Sequence, residues 1–255
     1  MTAAATPDPS LDERRELVAT ACRVLAARGL ADGVLGHVSL RVDGETMLVR
    51  CRGPRERGLA FTEPSDIRLV DLDGRPAGAG ELDEHAVPNE LPLHAEVLRQ
   101  RRNVSAVVHA HPRPVVAADL AGIGIRPIVG AFDIPSTRLA AGGVPVYGRS
   151  VLIHNRELAA EMVTAMGERP VVVLRGHGLA SAAAGVEQAV LQAIGITALA
   201  AMSLEIVAAG GWLTDIPDRD LAELPDLGGS FNVDVAWRHE LARLAASCPP
   251  IDSRP

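Results

Sequence analysis

Three histidines follow two buried, apolar runs of this 255-residue sequence, and their spacing is typical of a metal site. His109 and His111 end the run 105–112, SAVVHAHP, and His177 follows the run 170–174. In an extended strand, residues two apart point to the same face, so His109 and His111 can bind one ion together. Three neutral imidazoles with an open coordination position form a catalytic arrangement for zinc and similar metals. The sequence therefore predicts a divalent-metal site.

A carboxylate precedes the histidine pair. Glu90 lies at the start of the expected helix 91–101, which leads directly into the strand that ends in His109 and His111. If helix and strand run back along each other, the carboxylate comes close to the metal and can move a proton beside it. The alternative is a carboxylate that only interacts favourably with the helix dipole. Likewise, the histidine pair alone could be two unrelated polar residues at a strand end.

Hydrophobic periodicity predicts the elements that must position these residues. Helices are expected at 11–28, with Ser10 as N-cap, at 91–101, at 185–209 and near 233–246. Strands are expected at 38–42 and 47–50 around an Asp-Gly turn, and at 67–72, 105–112 and 170–178. We therefore expect one α/β domain over 10–246, with a disordered arm at 1–9 and a tail at 247–255.

Composition limits the partners. The 25 Lys and Arg against 32 Asp and Glu leave a net charge of −7, which argues against a nucleic acid or an acidic membrane surface and favours a small molecule. Cys22, Cys51 and Cys248 include no short-spaced pair, so neither a disulfide framework nor a thiolate zinc site is expected. The N-terminus lacks the pattern of a signal peptide, and a cytoplasmic location fits both features.

The segment 185–209 is apolar almost all round and resembles a membrane span in composition. Four polar residues interrupt it, namely Glu187, Gln188, Gln192 and Glu205. The uninterrupted apolar run is shorter than the roughly 20 residues that a bilayer requires. We therefore expect a helix buried in the core or in a subunit interface, and no membrane partner.

Three motifs resemble the class II aldolase/adducin superfamily: E-x-P-x-H from Glu90 to His94, A-V-V-H-A-H-P over 106–112, and R-G-H-G over 175–178. The resemblance covers roughly 10–210. It implies a single-domain α/β/α fold around a central, mainly antiparallel sheet, usually in a homotetramer with active sites between subunits. It also implies that the three histidines hold one divalent ion per subunit, typically zinc, otherwise manganese, cobalt or iron. Glu90 would then help to hold the metal and transfer protons.

This chain departs from the phosphate-binding pattern of the family's sugar-phosphate aldolases. Those enzymes have Gly-Asn-x-Ser, a Ser-Gly pair and two serines before the acidic residue. Here the corresponding stretches are 36–39, Gly-His-Val-Ser, then Arg52-Gly53, then Pro88-Asn89. A phosphorylated sugar is therefore not the expected substrate, and a sugar dehydratase or epimerase is disfavoured for the same reason.

The replacement residues indicate a different ligand. Arg52, Arg55 and Arg57 carry planar guanidinium groups that suit bidentate recognition of a carboxylate. We therefore expect Arg52 and Arg55, together with His37 and Ser39, to contact a small carboxylate substrate. The alternative is that the arginines are simply solvated and that His37 is a loop residue without a function.

These residues predict a metal-dependent carbon–carbon lyase. The arginine-rich loop and the Gly-His-Val-Ser variant resemble the decarboxylase branch of the family, so we expect a hydroxylated aromatic dicarboxylate such as a dihydroxyphthalate to give a dihydroxybenzoate. One alternative is an aldolase that cleaves an unphosphorylated 2-keto acid or sugar. It would need a proton donor such as the tyrosines of family aldolases, and Tyr147, the only tyrosine here, aligns with none of them.

A second alternative is not an enzyme at all. It is a non-catalytic interaction module like the adducins of this superfamily. The resemblance implies that adducins lack these three histidines, which favours an enzyme here. His94, Asp133 and Arg175 are further candidates for orienting ligands or substrate, and each of them could equally be structural.

Overall fold

The computed structural model describes residues 9–247, and within that range seven strands form one sheet. They are β1 (His37–Arg41), β2 (Thr46–Arg50), β3 (Ile67–Asp71), β4 (Ala106–Ala110), β5 (Val146–Tyr147), β6 (Val171–Leu174) and β7 (Gly178–Ala183). Their order is β3-β2-β1-β4-β7-β6-β5. Neighbouring strands are antiparallel except for β5 and β6, which are parallel. The expected mainly antiparallel sheet is confirmed.

Helices cover both faces of this sheet. The described helices are α1 (Leu11–Ala27), α2 (Leu91–Gln100), α3 (Arg113–Leu120), α4 (Ile134–Ala140), α5 (Arg156–Met166), α6 (Val186–Ala208), α7 (Asp218–Glu223) and α8 (Ala236–Ser247). Helices α1, α3 and α6 share one core with Val171 and Val173, whereas α2 and α5 share the other with Val172. Alternate residues of one strand thus enter opposite cores, as expected of strands buried on both faces. This is an α/β/α arrangement.

Local signals explain the first elements. Ser10 caps α1 and forms a capping box with Glu13, which satisfies backbone donors at the helix start. Strands β1 and β2 pair with Ser39 opposite Val49, and the Asp43 side chain accepts hydrogen bonds from two backbone N–H groups of the connecting turn. The N-cap and the hairpin are therefore as the sequence predicts.

Helix α6 is long and apolar enough, by length and composition alone, to cross a membrane. In the fold it packs against α1, α3 and α4 and against strands β4 and β7. Val190, Ala193 and Ile196 are fully buried in the same core as α1. Burial in this core accounts for one face of the helix, because 39% of its most apolar window is buried in this chain. That face fits the predicted core helix, and the prediction of a subunit interface for the rest stays a prediction.

The C-terminal region differs in detail from its expectation. A helix was expected near 233–246, but a π-helical turn, Ser230–Val235, precedes α8, which ends at Ser247. Trp237 is buried against the core, and buried Glu240 pairs with Arg28 at 3.1 Å. The expected arm at 1–9 and tail at 247–255 lie outside the described residues, except for Pro9 and Ser247.

The end of β4 and the start of β7 lie side by side at one end of the strands, which we call this edge of the sheet. The run expected as a single strand over 170–178 is instead β6, a turn at 175–177, and β7, because Gly176 with φ 60° reverses the chain. Strand β7 then lies between β6 and β4. His177 therefore belongs to a turn rather than to a strand end, and that turn is next to the end of β4.

Candidate metal centre

Four side chains converge at this edge of the sheet. His109 lies on β4, His111 follows β4, His177 lies in the turn before β7, and Glu90 precedes α2. The Nε2 atoms of His109 and His111 are 2.8 Å apart. Glu90 Oε2 lies 3.1 Å from His109 Nε2 and 3.5 Å from His177 Nε2. One potential ligand atom from each residue lies within 4.8 Å of the others.

This donor set fits a divalent cation. Ligands bound at zinc distances around one centre are separated by about 3.4 Å when the geometry is tetrahedral, and the separations above surround that value. His109 Nδ1 lies 3.0 Å from the carbonyl oxygen of Leu179. Because a carbonyl oxygen can only accept, this bond assigns the single ring proton of neutral His109 to Nδ1 and leaves Nε2 free to bind a metal. Two imidazole nitrogens facing each other at 2.8 Å suit a shared cation.

Glu90 is held as an ionised carboxylate. It is the N-cap residue of α2, yet its side chain makes no capping bond. Instead, Oε1 accepts a hydrogen bond from the backbone N–H of Ile153 at 3.0 Å, and Oε2 faces the imidazoles. Burial opposes ionisation, but the imidazoles of His109 and His177 beside Oε2 outweigh it and hold the pKa of Glu90 well below its usual value. The geometry therefore disfavours a role limited to the helix dipole.

Burial also keeps the pKa of His111 low. It lowers that pKa to about 3, and His109 and His177 act in the same direction. Neutral imidazole is the form that binds a metal, because a protonated ring has no free lone pair. The centre is therefore ready to accept a cation at neutral pH without first releasing a proton from His111.

Two cavities adjoin the cluster. One of about 200 Å³ is lined by His37, Arg52, Glu90, His111 and Leu152, among others, and we call it the Arg52 cleft. The other, of about 390 Å³, is lined by His111, Leu152, Arg175 and His177, among others. His111 thus lies between them, with an arginine in each. Arg175 is half-exposed and lies 3.8 Å from Asp119.

Only some of the residues that we expect to contact the substrate line the Arg52 cleft. His37 and Arg52 do so, and their contact with a substrate stays a prediction. Ser39 is fully buried, and its hydroxyl bonds to His94 at 2.7 Å. The expectation that Ser39 contacts the substrate directly therefore fails, because its side chain lies behind the cleft rather than in it.

The rest of the basic loop faces elsewhere. Arg55 lines a separate cavity of about 570 Å³, to which none of the four cluster residues contributes, so its expected contact with a substrate at the metal is not found. Arg57 pairs with Glu63 at 2.8 Å. The separate cavity is larger than the Arg52 cleft, but it lacks converging metal ligands, so the cluster remains the better site.

Three other residues singled out in the sequence have clear positions. His94 is fully buried on α2. Asp133 caps α4 by accepting a bond from Ser136 N at 3.1 Å, which is a structural role. The hydroxyl of Tyr147 donates to Glu161 at 2.9 Å on edge strand β5, and strands β6 and β7 separate it from β4. Tyr147 therefore lies away from the metal cluster of its own chain.

Two backbone groups of the centre had no signal in the sequence. The N–H of Ile153 orients Glu90 across 63 positions of chain, and the carbonyl of Leu179 orients His109 across 70. Main-chain groups belong to every residue, so no residue type marks these two. Only the expectation that metal-ligating side chains need orienting partners could have indicated that they exist.

Fold and site together define a class of α/β/α protein that can hold one divalent cation on three imidazoles and a carboxylate at a sheet edge. The chain belongs to the family described as Class II Aldolase and Adducin N-terminal domain, whose pattern matches residues 16–204. It is 72% identical over 234 residues to a 3,4-dihydroxyphthalate decarboxylase of Arthrobacter keyseri, covering 91% of this chain and 94% of that protein. It is 66% identical over 230 residues to a protein of the same description from Terrabacter sp. (strain DBF63), covering 90% and 96%.

The fold has a close structural counterpart. An aldolase II superfamily protein from Pseudomonas syringae superposes with a TM-score of 0.80 at 22% sequence identity, covering 94% of this chain and 95% of that one. At this identity the likeness concerns the fold alone. The α/β fold predicted from the sequence is therefore confirmed, and so is the resemblance to this family.

Proposed function

We propose that this protein is a metal-dependent carboxy-lyase that removes carbon dioxide from a dihydroxyphthalate and releases a dihydroxybenzoate. The observation that carries the proposal is the cluster of Glu90, His109, His111 and His177 beside a cleft that contains Arg52. The similarity to two proteins described as 3,4-dihydroxyphthalate decarboxylases supports the same reaction.

The arginines match a diacid. Arg52 lines the cavity on one side of His111, and Arg175 lines the cavity on the other. A guanidinium group can bind a carboxylate through two parallel hydrogen bonds. We therefore assign Arg52 to the carboxylate that the product retains, and Arg175 to orientation of the second carboxylate before it departs.

The chemistry requires a proton at the ring carbon that loses its carboxylate. A divalent ion held by the four residues would supply positive charge that stabilises negative charge on substrate oxygens while the carbon–carbon bond breaks. Glu90, ionised in the resting centre, takes a proton from a substrate hydroxyl and delivers it to the ring carbon. The electrons of the broken carbon–carbon bond restore the aromatic ring as carbon dioxide leaves, and a proton from water returns to the substrate oxygen that gave up its own.

The same proposal extends to the metal and the assembly. Three imidazoles with a carboxylate suit zinc first, and manganese, cobalt or iron second. We assign one ion to each subunit of a cytoplasmic homotetramer. Exposed Val34, Leu35 and Leu152 support a further subunit near the Arg52 cleft, because Leu35 and Leu152 line it and exposed apolar groups cluster where proteins associate. Metal analysis and light scattering test these two points.

The decisive experiment measures carbon dioxide release from a panel of hydroxylated phthalates by metal-loaded protein. We expect release by the wild type, no release by His109→Ala, and normal release by His239→Ala, a control at an exposed histidine on α8. Metal content is measured on each preparation. If the wild type holds metal but releases no carbon dioxide, the aldolase alternative gains weight, and 2-keto acids become the next panel. If it holds no metal and His109→Ala changes nothing, an adducin-like module is indicated.

A further inference from the structure

Asp119 joins the two segments that carry His111 and His177. Helix α3 begins at Arg113, two residues after His111, and Asp119 lies in its last turn. Asp119 Oδ2 accepts a hydrogen bond from the backbone N–H of Gly176 at 2.7 Å, and Gly176 directly precedes His177. This bond spans 57 positions of chain. It therefore links the helix that follows one imidazole to the turn that carries another.

The three backbone N–H groups of the turn 175–177 have different acceptors. That of Arg175 donates to a main-chain carbonyl of β5 at 3.1 Å, and that of His177 donates to the carbonyl of the last residue of β6 at 3.0 Å. In this turn, the Gly176 N–H is the donor whose acceptor is a side chain. Asp119 is therefore the restraint on the turn that a substitution can remove.

Local preference does not explain an aspartate at this position. Asp119 lies in the last turn of α3, where the negative end of the helix dipole disfavours an anion. Its side chain is only 5% exposed, and burial of a carboxylate is unfavourable unless hydrogen bonds compensate for the lost water. Asp119 Oδ1 lies 3.8 Å from Arg175 Nε, but the Arg175 side chain is half-exposed, so water weakens this attraction. The bond to Gly176 is therefore the main contact of the carboxylate.

We propose that Asp119 is a positioning residue that holds the His177 turn at the distance from His111 that one divalent cation requires. The ring centroids of the two histidines are 4.7 Å apart, and Asp119 is not one of the four converging ligands. Without the bond, the turn can shift, and His177 must then be ordered when the ion binds. Ligands that are already ordered bind more tightly, because that entropy loss has occurred on folding. The inference rests on the metal centre of the proposed function and not on its reaction.

The test measures the Zn²⁺ affinity of folded protein by competition with a chromophoric chelator. Asp119→Ala removes the acceptor, and we expect it to weaken Zn²⁺ binding by about 10–100-fold, the range typical of groups that orient metal ligands. Asp119→Asn keeps an oxygen that accepts from Gly176 N–H and loses only the charge facing Arg175. We expect its affinity to stay within about threefold of the wild type, because a solvent-exposed ion pair contributes little.

Two further measurements separate positioning from general damage. Asp43→Ala is the matched control, because Asp43 also holds a turn through backbone N–H groups, but at the opposite end of β1, and its loss should leave Zn²⁺ affinity unchanged. In the His177→Ala background, Asp119→Ala should cause no further loss of affinity, because the turn no longer carries a ligand. If Asp119→Ala does not fold, Asp119→Leu fills the space without an acceptor and is measured in its place.

The outcomes distinguish this inference from the proposed function. Unchanged Zn²⁺ affinity in folded Asp119→Ala, an equal loss in Asp119→Asn, or the same loss in the His177→Ala background each overturns the positioning role, even if carbon dioxide is released. A loss that Asp119→Asn avoids and that requires His177, in a protein that releases no carbon dioxide, supports the positioning role and rejects decarboxylation. A wild type that binds no Zn²⁺ overturns both the positioning role and the metal centre.

Discussion

Replacing Glu90 by glutamine changes one charge and little else in the centre. The carbonyl oxygen of the introduced amide can still accept from Ile153 N–H, as Oε1 does now at 3.0 Å, so the side chain keeps its position. What changes is the group that faces His109 and His177: a carboxylate oxygen becomes an amide nitrogen that cannot carry the transferred proton. The three imidazoles remain available to the metal.

The expected loss follows from the role of the carboxylate. A positioned general acid or base contributes typically about 10²–10⁴-fold to a rate. That range corresponds to about 3–5 kcal/mol of activation free energy. We therefore expect Glu90→Gln to keep most of its metal and to release carbon dioxide about 10²–10⁴ times more slowly. Loss of one anionic ligand weakens metal binding without abolishing it, because three neutral nitrogens still converge.

Glu96 provides a matched control. It lies on α2, which begins directly after Glu90 in the chain, and is 4% exposed like Glu90. Glu96 pairs with Arg156 at 3.2 Å instead of facing the imidazoles. We expect Glu96→Gln to lower the thermal midpoint but not the turnover of folded, metal-loaded protein. The assay combines carbon dioxide release, metal content and melting for both variants. Unchanged turnover in Glu90→Gln, or turnover that falls only in proportion to lost metal, would refute proton transfer by Glu90.

Three further changes have defined outcomes. Arg52→Ala should raise KM more for a dihydroxyphthalate than for a monoacid analogue, and equal effects would make Arg52 a bystander. In metal-free protein, the pKa of His94 is about 3 when folded, below its unfolded value, so acid favours the unfolded state. Urea titrations should show the unfolding free energy falling by up to about 1.4 kcal/mol per pH unit from this group below pH ~6.5, with a shallower slope in His94→Gln. A Cβ on Gly178 would lie 2.2 Å from the Ala110 carbonyl oxygen, so Gly178→Ala should lose metal. The control Gly185→Ala should keep its metal, because a Cβ there meets only the flexible Glu187 side chain, at 3.4 Å. Equal metal content in the two variants would contradict this reasoning.

The elements that the sequence predicted well have strong local signals. Helix α1 begins at a capping box, and the β1–β2 hairpin surrounds an Asp-Gly turn, so a few neighbouring residues determine each. Helix α6 was predictable because its length and composition allow few alternatives. The motifs also identified the four converging residues, because H-x-H at a strand end and a glycine-flanked histidine are unusual enough to stand out.

Other features depend on contacts between distant segments. Strand β7, with the residues GLASAA, has small side chains and no strong strand signal, and it is held by pairing with β4 on one side and β6 on the other. The separation of Arg55 from Arg52 could not be predicted either, since both lie in one basic loop. Position along a loop does not determine which cavity a side chain enters.

The placement of β7 links the fold to the chemistry. The strand lies antiparallel between β4 and β6, so its first residues meet the last residues of both. The turn that precedes it therefore carries His177 to the end of β4, where His109 and His111 already face each other. Strand β7 also supplies the Leu179 carbonyl that fixes the His109 proton on Nδ1. A strand with weak intrinsic preference thus positions one ligand and orients another, which is why a change at Gly178 is expected to affect the metal before it affects the rest of the sheet.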